Sequence, residues 1–469
     1  MNKDLSLIIA GRLFQIIIML VSVRLLTTFL TPSEVGNYYI VLAILAFFNL
    51  VLLNPPGMYF SRHILHWQKS NNLWNALFFF ILWILIVALF SIPVLYFIYF
   101  QFDYSTKFDF NVLILYIVLA IVIRTVYRNT LNGINLLNYR KIFVFYLITT
   151  LILGLSLSCA IVYFFYNRAL GWLFGMMIAE SIMLYGTLRF FIRNNVLDID
   201  KIKYIVNRKK IKSILLFCVP IGITTFLMWG QNTAYRFIID YKYSSEVLGY
   251  IAVGLGISSA VFSSIESISM QYFNPIFLKN ILDASIEQRA RAWNDIAKQI
   301  VPIYILSAFF TLAMAEVLIN LLVDHKFHHS YIYTMIGVGI EFFRVMTNLL
   351  NSVSQSEYKT TATIKPYSVG FFISLGILGS IDFGTNYFMI PVVLAFAFFC
   401  VYIYMYRNMK KILDIRYQIN LLQLTLLSLP FGIIYFIKIN NYHLIQNLFL
   451  LCLFGVYFLF AIWIELKRK

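Results

Sequence analysis

Apolar stretches of about twenty residues follow one another along almost the whole chain, separated by short polar joints where Pro, Gly, Asn, Lys and Arg collect. The hydrocarbon core of a bilayer is about 30 Å thick and an α-helix crosses it in about 20 residues, so the pattern predicts successive membrane-spanning helices. The stretches lack the alternation of barrel strands, and backbone groups in lipid must be satisfied within their own segment, so the spans are helical. Fourteen are predicted, near 5–30, 37–60, 75–101, 110–132, 142–166, 169–193, 213–239, 246–278, 296–322, 331–356, 365–382, 385–406, 419–439 and 443–466.

Composition sharpens this picture. The chain is 61% hydrophobic and 12% charged with a mean hydropathy of +0.81, against about a quarter charged residues in soluble domains. A net charge of +17 would point to nucleic acid in a soluble protein; here topology accounts for most of it. With the N-terminus inside, 26 of the 37 Lys and Arg residues fall on the cytoplasmic side, 5 on the outer side and 6 within spans. That bias places both termini in the cytoplasm. MNKD precedes the first apolar run and no small-residue cleavage site follows, so no cleaved signal is expected. Cys159, Cys218, Cys400 and Cys452 lie inside apolar runs without CxxC spacing, as buried structural thiols do.

The chain also repeats itself. Ser33, Glu34, Val35 and Tyr38 recur as Ser245, Glu246, Val247 and Tyr250, an offset of 212, and Arg24 and Arg236 stand nine residues before each SEV. Asn129, Leu131, Asn132, Tyr139 and Arg140 recur as Asn348, Leu350, Asn351, Tyr358 and Lys359, an offset of 219. The division read from this is a six-helix lobe over 1–193, a basic cytoplasmic linker over 194–212, a second six-helix lobe over 213–406, and a helix pair with a basic tail over 407–469. Six is even, so both lobes start on the same side and the repeats are parallel, with a substrate cleft expected between them.

Polar groups within the spans are few, and charge at membrane depth is costly, so each marks a candidate functional site. The first helix carries Arg12 and Arg24, the fourth Arg124, Thr125, Arg128, Asn129 and Asn132, the seventh Arg236 and, at its outer end, Asp240. Glu180, Glu266 and Glu316 lie in the sixth, eighth and ninth helices. In the tenth helix Glu341, Arg344, Asn348, Asn351 and Gln355 are spaced by 3, 4, 3 and 4 and share one face. Such stripes meet water or protein rather than lipid, and they either line a cavity or bond neighbouring helices. Six deep arginines against four deep acids make a partly basic cavity suited to an anion, phosphate above all. Glu341 and Arg344 also fit a local ion pair, and Arg12 also fits a snorkelling interfacial residue. Asp240, Glu266, Glu316 and Glu341 are open candidates for protonation during coupling.

Other signals are weak. Asp198 and Asp200 form a DxD without a nucleotide-binding domain around it. His325, His328 and His329 lack a convergent carboxylate or thiol, so no metal site is assigned. No Walker loop is present, and Gly254-Leu255-Gly256 lacks the third glycine of a dinucleotide fingerprint, so no cofactor and no direct use of ATP are expected.

The stretch RLLTTFLTPSEVGNYYIVLAI (Arg24–Ile44) resembles the opening of polysaccharide-lipid exporters in the multidrug/oligosaccharidyl-lipid/polysaccharide superfamily, and NTLNGINLLNYRK resembles that family's ending of the fourth helix. The resemblance covers the whole two-lobed plan with its extra helix pair. It implies a non-enzymatic flippase for undecaprenyl-pyrophosphate-linked oligosaccharide, of the O-antigen type, in a bacterial inner membrane. It also implies alternating access, arginines on the pyrophosphate, membrane lipids around it and a polysaccharide polymerase as a partner; nucleic acid is not expected. Arg24 and Arg236 are the leading pyrophosphate contacts, with Arg12, Arg124, Arg128 and Arg344 behind them. Two rivals stay open. A multidrug cation antiporter usually holds an acid in its first helix, and this one has none between Leu5 and Leu30. A polymerase or ligase needs a large outer loop, which the predicted joints do not supply.

Overall fold

The computed structural model describes residues 3–194, 208–357, 359–437 and 444–467. It is about 90% helical, and among the described residues there is no strand. Among the described residues fourteen helices follow in order: α1 Lys3–Phe29, α2 Pro32–Lys69, α3 Leu73–Gln101, α4 Phe110–Leu136, α5 Arg140–Phe164, α6 Ala169–Asn194, α7 208–242, α8 Ser245–Ile281, α9 Ile286–Leu322, α10 Tyr331–Ser356, α11 Ile364–Ser380, α12 Met389–Ile412, α13 Leu421–Phe436 and α14 Leu444–Lys467. Eleven of them are long and apolar enough to cross a membrane. Shorter apolar stretches lie in α1 and α13, and α10, with its polar face, completes the set. The chain is therefore an all-α polytopic membrane protein.

Each predicted span has its helix, and the differences are in length. α8 and α9 have 37 residues each, about 55 Å at 1.5 Å per residue, so both outrun the hydrocarbon core. The first turns of α9, IEQRARAWND, read as a loop by hydropathy. The structure makes them helical because Ser285 and Gln288 form a reciprocal capping box.

Proline shapes α2. Pro55 and Pro56 cannot donate to the carbonyls four residues back, and the backbone widens into a π-turn over Phe48–Leu53 just ahead of them. A side chain takes over one released acceptor, and a second braces the start of the π-turn. The Trp83 indole donates to the Leu52 carbonyl at 3.0 Å, replacing the N–H that Pro56 lacks, and the Asn49 amide donates to the Leu45 carbonyl at 2.9 Å. A second π-turn, Gly230–Ala234, interrupts α7.

The repeated SEV motif proves to be a helix start. Thr31 caps α2, accepting from the Glu34 N–H at 3.3 Å, and Ser244 caps α8, accepting from the Val247 N–H at 3.1 Å. Glu34 and Glu246 both lie in a first turn, where a carboxylate meets the positive end of the helix dipole. Glu34 also accepts the N–H of Ala169 at 2.7 Å and so ties the start of α2 to that of α6.

Two compact units divide the chain, Met1–Tyr241 and Lys242–Lys469. In the first, α6 packs on α4 and α5, α3 on α4, and α2 on α4. In the second, α12 packs on α10 and α11, α9 on α10, and α8 on α10. The same pairs recur six helices apart, as a parallel six-helix repeat requires. α7, which the repeat places at the head of the second set, packs on α2 within the first unit. The basic linker falls mostly at 195–207, and Asp198 and Asp200 with it, outside the described residues.

Candidate functional site

The fourth helix of the first unit and its repeat mate in the second each carry a polar stripe, and the two stripes are partnered differently.

In the first unit, α2 and α4 run side by side. A β-carbon on Gly57 would lie 3.2 Å from the Asn129 Oδ1, and one on Gly133 would lie 3.1 Å from the Ile64 side chain. Small residues allow this approach, as is usual between membrane helices. Beside the contact lie the π-turn and the double proline of α2. A cavity of about 520 Å³ opens there, lined by Asn49, Asn54, Gly57 and Ser61 of α2 and by Thr125, Arg128, Asn129 and Asn132 of α4. Four side chains of the predicted α4 stripe thus share one space. The α2 wall was not anticipated; its signal was Asn49 and Asn54 flanking a site of lost backbone donors, where polar side chains are needed.

Hydrogen-bonding capacity in this cavity is largely unused. Asn129 donates to the Thr125 carbonyl at 2.8 Å, and Thr125 reaches the Asn49 Oδ1 at 3.4 Å. Arg128 makes no hydrogen bond or ion pair to any described residue and is exposed to the cavity. Arg124, one turn away, is spoken for: its Nε donates to Glu180 on α6 at 2.7 Å, with both side chains 12% exposed. The cavity wall therefore presents one unneutralised guanidinium among neutral amides and hydroxyls.

Arg236 stands at a second position in this unit. Its guanidinium lies over the Tyr39 ring at 5.0 Å and the Tyr235 ring at 5.9 Å, its Nη1 donates to the Tyr39 carbonyl at 3.4 Å, and its Nε is buried without a partner. Cation–π contact holds the side chain in place without cancelling its charge. Tyr38 lies within electrostatic reach of both Arg124 and Arg236. Arg24 is half-buried on α1 and has no ion pair among the described residues. The side chain of Arg12 lies outside the described set. Asp240 is bound elsewhere: Lys107 on the α3–α4 joint holds both its oxygens, at 2.8 and 2.9 Å. Beside this pair the buried Tyr104 hydroxyl is pushed well above its usual range, first by burial and then by the Asp240 charge.

In the second unit the stripe is closed on itself. Arg344 on α10 donates from Nε to Glu341 at 2.6 Å and from Nη1 to Glu266 on α8 at 2.9 Å. A third contact goes from Nη2 to the Ser263 hydroxyl at 3.2 Å, and Asn348 donates to the other oxygen of Glu266 at 2.8 Å. Glu341, Arg344, Asn348 and Glu266 are thus brought together, both as the predicted local pair and as a link between helices. Asn351 is not part of the cluster; its Oδ1 accepts from Ser354 at 2.7 Å. With both carboxylates ionised the cluster has a net charge of −1. Among the described residues no group of His, Cys, Asp and Glu is arranged to hold a metal ion.

No protein-family model matches this chain, and no curated protein matches it. Solved structures do. An inward-facing multidrug resistance MATE family transporter of the MOP superfamily superposes with a TM-score of 0.62 at 11% identity, covering 86% of this chain and 95% of that one. The lipid II flippase MurJ, in an inward closed conformation, gives 0.63 at 10% identity over 99% and 98%. The eukaryotic MATE transporter AtDTX14 gives 0.53 at 11% identity over 88% and 95%. At such identities the likeness establishes the fold, shared over nearly full length with transporters and a flippase.

Proposed function

We propose that this chain flips an anionic, saccharide-bearing lipid across a bilayer, the lipid being an undecaprenyl-pyrophosphate-linked oligosaccharide of the O-antigen type. The observation that carries the reading is the cavity of the first unit, where the single unneutralised guanidinium of Arg128 faces Asn54, Ser61, Asn129 and Asn132. A guanidinium fork matches phosphate oxygens, and neutral amides and hydroxyls match sugar hydroxyls. A head group of that kind cannot cross hydrocarbon unaided, which is the physical need for a protein. The fold supports the reading, since one protein with it is a lipid II flippase. In the proposed cycle Arg128, Arg236 and Arg24 hold the pyrophosphate while the units exchange inward- and outward-open arrangements and the prenyl tail stays in lipid. The setting is a bacterial inner membrane with both termini cytoplasmic, the chain does no covalent chemistry, and a polysaccharide polymerase takes the product.

A cation antiporter is the second reading, favoured by the net negative cluster of Glu266, Arg344 and Glu341 and by the two MATE structures. The flippase reading assigns that cluster to coupling instead, with Glu266 or Glu341 taking up a proton. A strain lacking the protein distinguishes the readings. Accumulation of the lipid-linked repeat unit on the inner leaflet is the expected result; an unpolymerised unit on the outer leaflet would instead indicate a polymerase or ligase, and normal polymer would remove the flippase reading.

A further inference from the structure

Beyond the cavity, α2 continues through Met58, Arg62, His66 and Lys69, spaced by 4, 4 and 3 residues and so stacked along one face over about 16 Å. Met58 is 47% exposed and forms part of the cavity lining. Arg62, His66 and Lys69 are exposed, and none of their side chains has a hydrogen bond or ion pair to a described residue. The neighbouring face of the same helix is fixed: the Tyr59 ring packs against His63 at 4.2 Å and meets Phe217 of α7 edge-on at 5.7 Å, and His63 packs against Trp67 at 5.6 Å. The basic face is therefore held by a packed aromatic face behind it. α2 itself adds no acid to this face, since the sequence holds no Asp or Glu between Glu34 and Asp103.

We infer that Arg62, His66 and Lys69 form a docking strip for the phosphate-bearing head group of the lipid substrate, leading from the membrane surface along α2 to the cavity at Met58. The inference rests on the flippase reading. Basic residues in a cytoplasmic joint ordinarily set topology, and that role asks only for their number. Alignment on one helical face, bordering a cavity with a free guanidinium, is not required for topology and is what capture of a diphosphate needs. A cationic path of this kind concentrates an anionic ligand and makes its binding salt-dependent.

The test uses the full chain in phosphatidylcholine nanodiscs with farnesyl diphosphate as probe, titrated between low and high salt. R62A/H66A/K69A is expected to bind about tenfold more weakly at low salt and to lose most of the salt dependence. K410A/K411A, which removes two charges at the end of α12, is expected to bind like the wild type. Thermal unfolding that matches the wild type shows that the triple variant is folded; if it is not, Arg62→Gln alone is measured, with a threefold loss expected. Equal affinity of the triple variant and the wild type overturns the strip, as does an equal loss in the α12 control. Suppression of probe binding by added phosphatidylglycerol, down to the triple variant's level, would make it an ordinary anionic-lipid site and also overturn it. If the wild type fails to bind the probe at all, the flippase reading falls together with the strip; binding that ignores only the strip leaves that reading standing.

Discussion

The two fourth helices of the repeat, α4 and α10, share their amides and differ in their charges. Asn129 and Asn132 align with Asn348 and Asn351, but at the same offset Arg128 aligns with Thr347 and Arg344 with Thr125. Arg128 and Arg344 thus each stand where the other helix has a threonine, while Arg124 aligns with Phe343. The partners complete the contrast. Arg344 is enclosed by Glu341 and Glu266, while Arg128 faces an open cavity and only its neighbour Arg124 is neutralised, by Glu180. One scaffold yields a cationic cavity in one unit and a closed, net negative cluster in the other. The lesson is that an intramembrane arginine is read from what stands across from it; its own position in the sequence does not say whether its charge is available.

Changes at four positions break or sharpen that contrast. The largest effect is expected for Arg344→Ala, which strands two carboxylates in a low-dielectric interior and costs about 3–5 kcal/mol. Thermal unfolding in detergent measures the loss, and adding E266Q and E341Q should recover most of it; no recovery would mean that the arginine acts by packing alone. Arg128→Ala should do the reverse, leaving stability within about 0.5 kcal/mol, as expected of a side chain without partners, while translocation falls by about a hundredfold. Arg128→Lys should retain part of the activity, because a lysine keeps the charge and loses the fork. Glu180→Gln releases the charge of Arg124 while keeping a hydrogen-bond acceptor. A stability loss of about 1–3 kcal/mol and tighter binding of farnesyl diphosphate to the first unit are expected. The smallest effect lies outside the membrane. With the Tyr104 hydroxyl raised above its ordinary value of 10.0, its stabilising contribution is present below pH 10 and is lost as pH climbs beyond it, because the unfolded phenol ionises first. Tyr104→Phe should therefore lose less stability than the wild type between about pH 10 and 12.

Much of the fold was legible because hydropathy and the bilayer thickness alone dictate helix number and order. Where the sequence misled, local chemistry had overruled hydropathy. The charged start of α9 is helical because of its Ser285 cap, and where α2 passes through two prolines the Trp83 indole satisfies the Leu52 carbonyl that Pro56 abandons. Residues of the candidate sites were visible as polar groups in apolar runs, and Thr125, Arg128, Asn129 and Asn132, which spacing puts on one face, line one cavity. Pairing was not visible. Glu266 meets Arg344 from 78 positions away and Lys107 meets Asp240 from 133, and no periodicity within one helix encodes a contact between two. The α2 wall escaped for a related reason, since the π-turn beside it leaves no mark in hydropathy.

The most direct test of the central claim is translocation by the purified chain in liposomes, followed by quencher access to a fluorescent undecaprenyl-diphosphate-linked oligosaccharide. The wild type should carry the labelled head group across, and Arg128→Ala, equally well reconstituted, should leave it on the leaflet where it was loaded. Transfer by Arg128→Ala at the wild-type rate would contradict the claim, as would a wild type that moves organic cations and leaves the lipid in place.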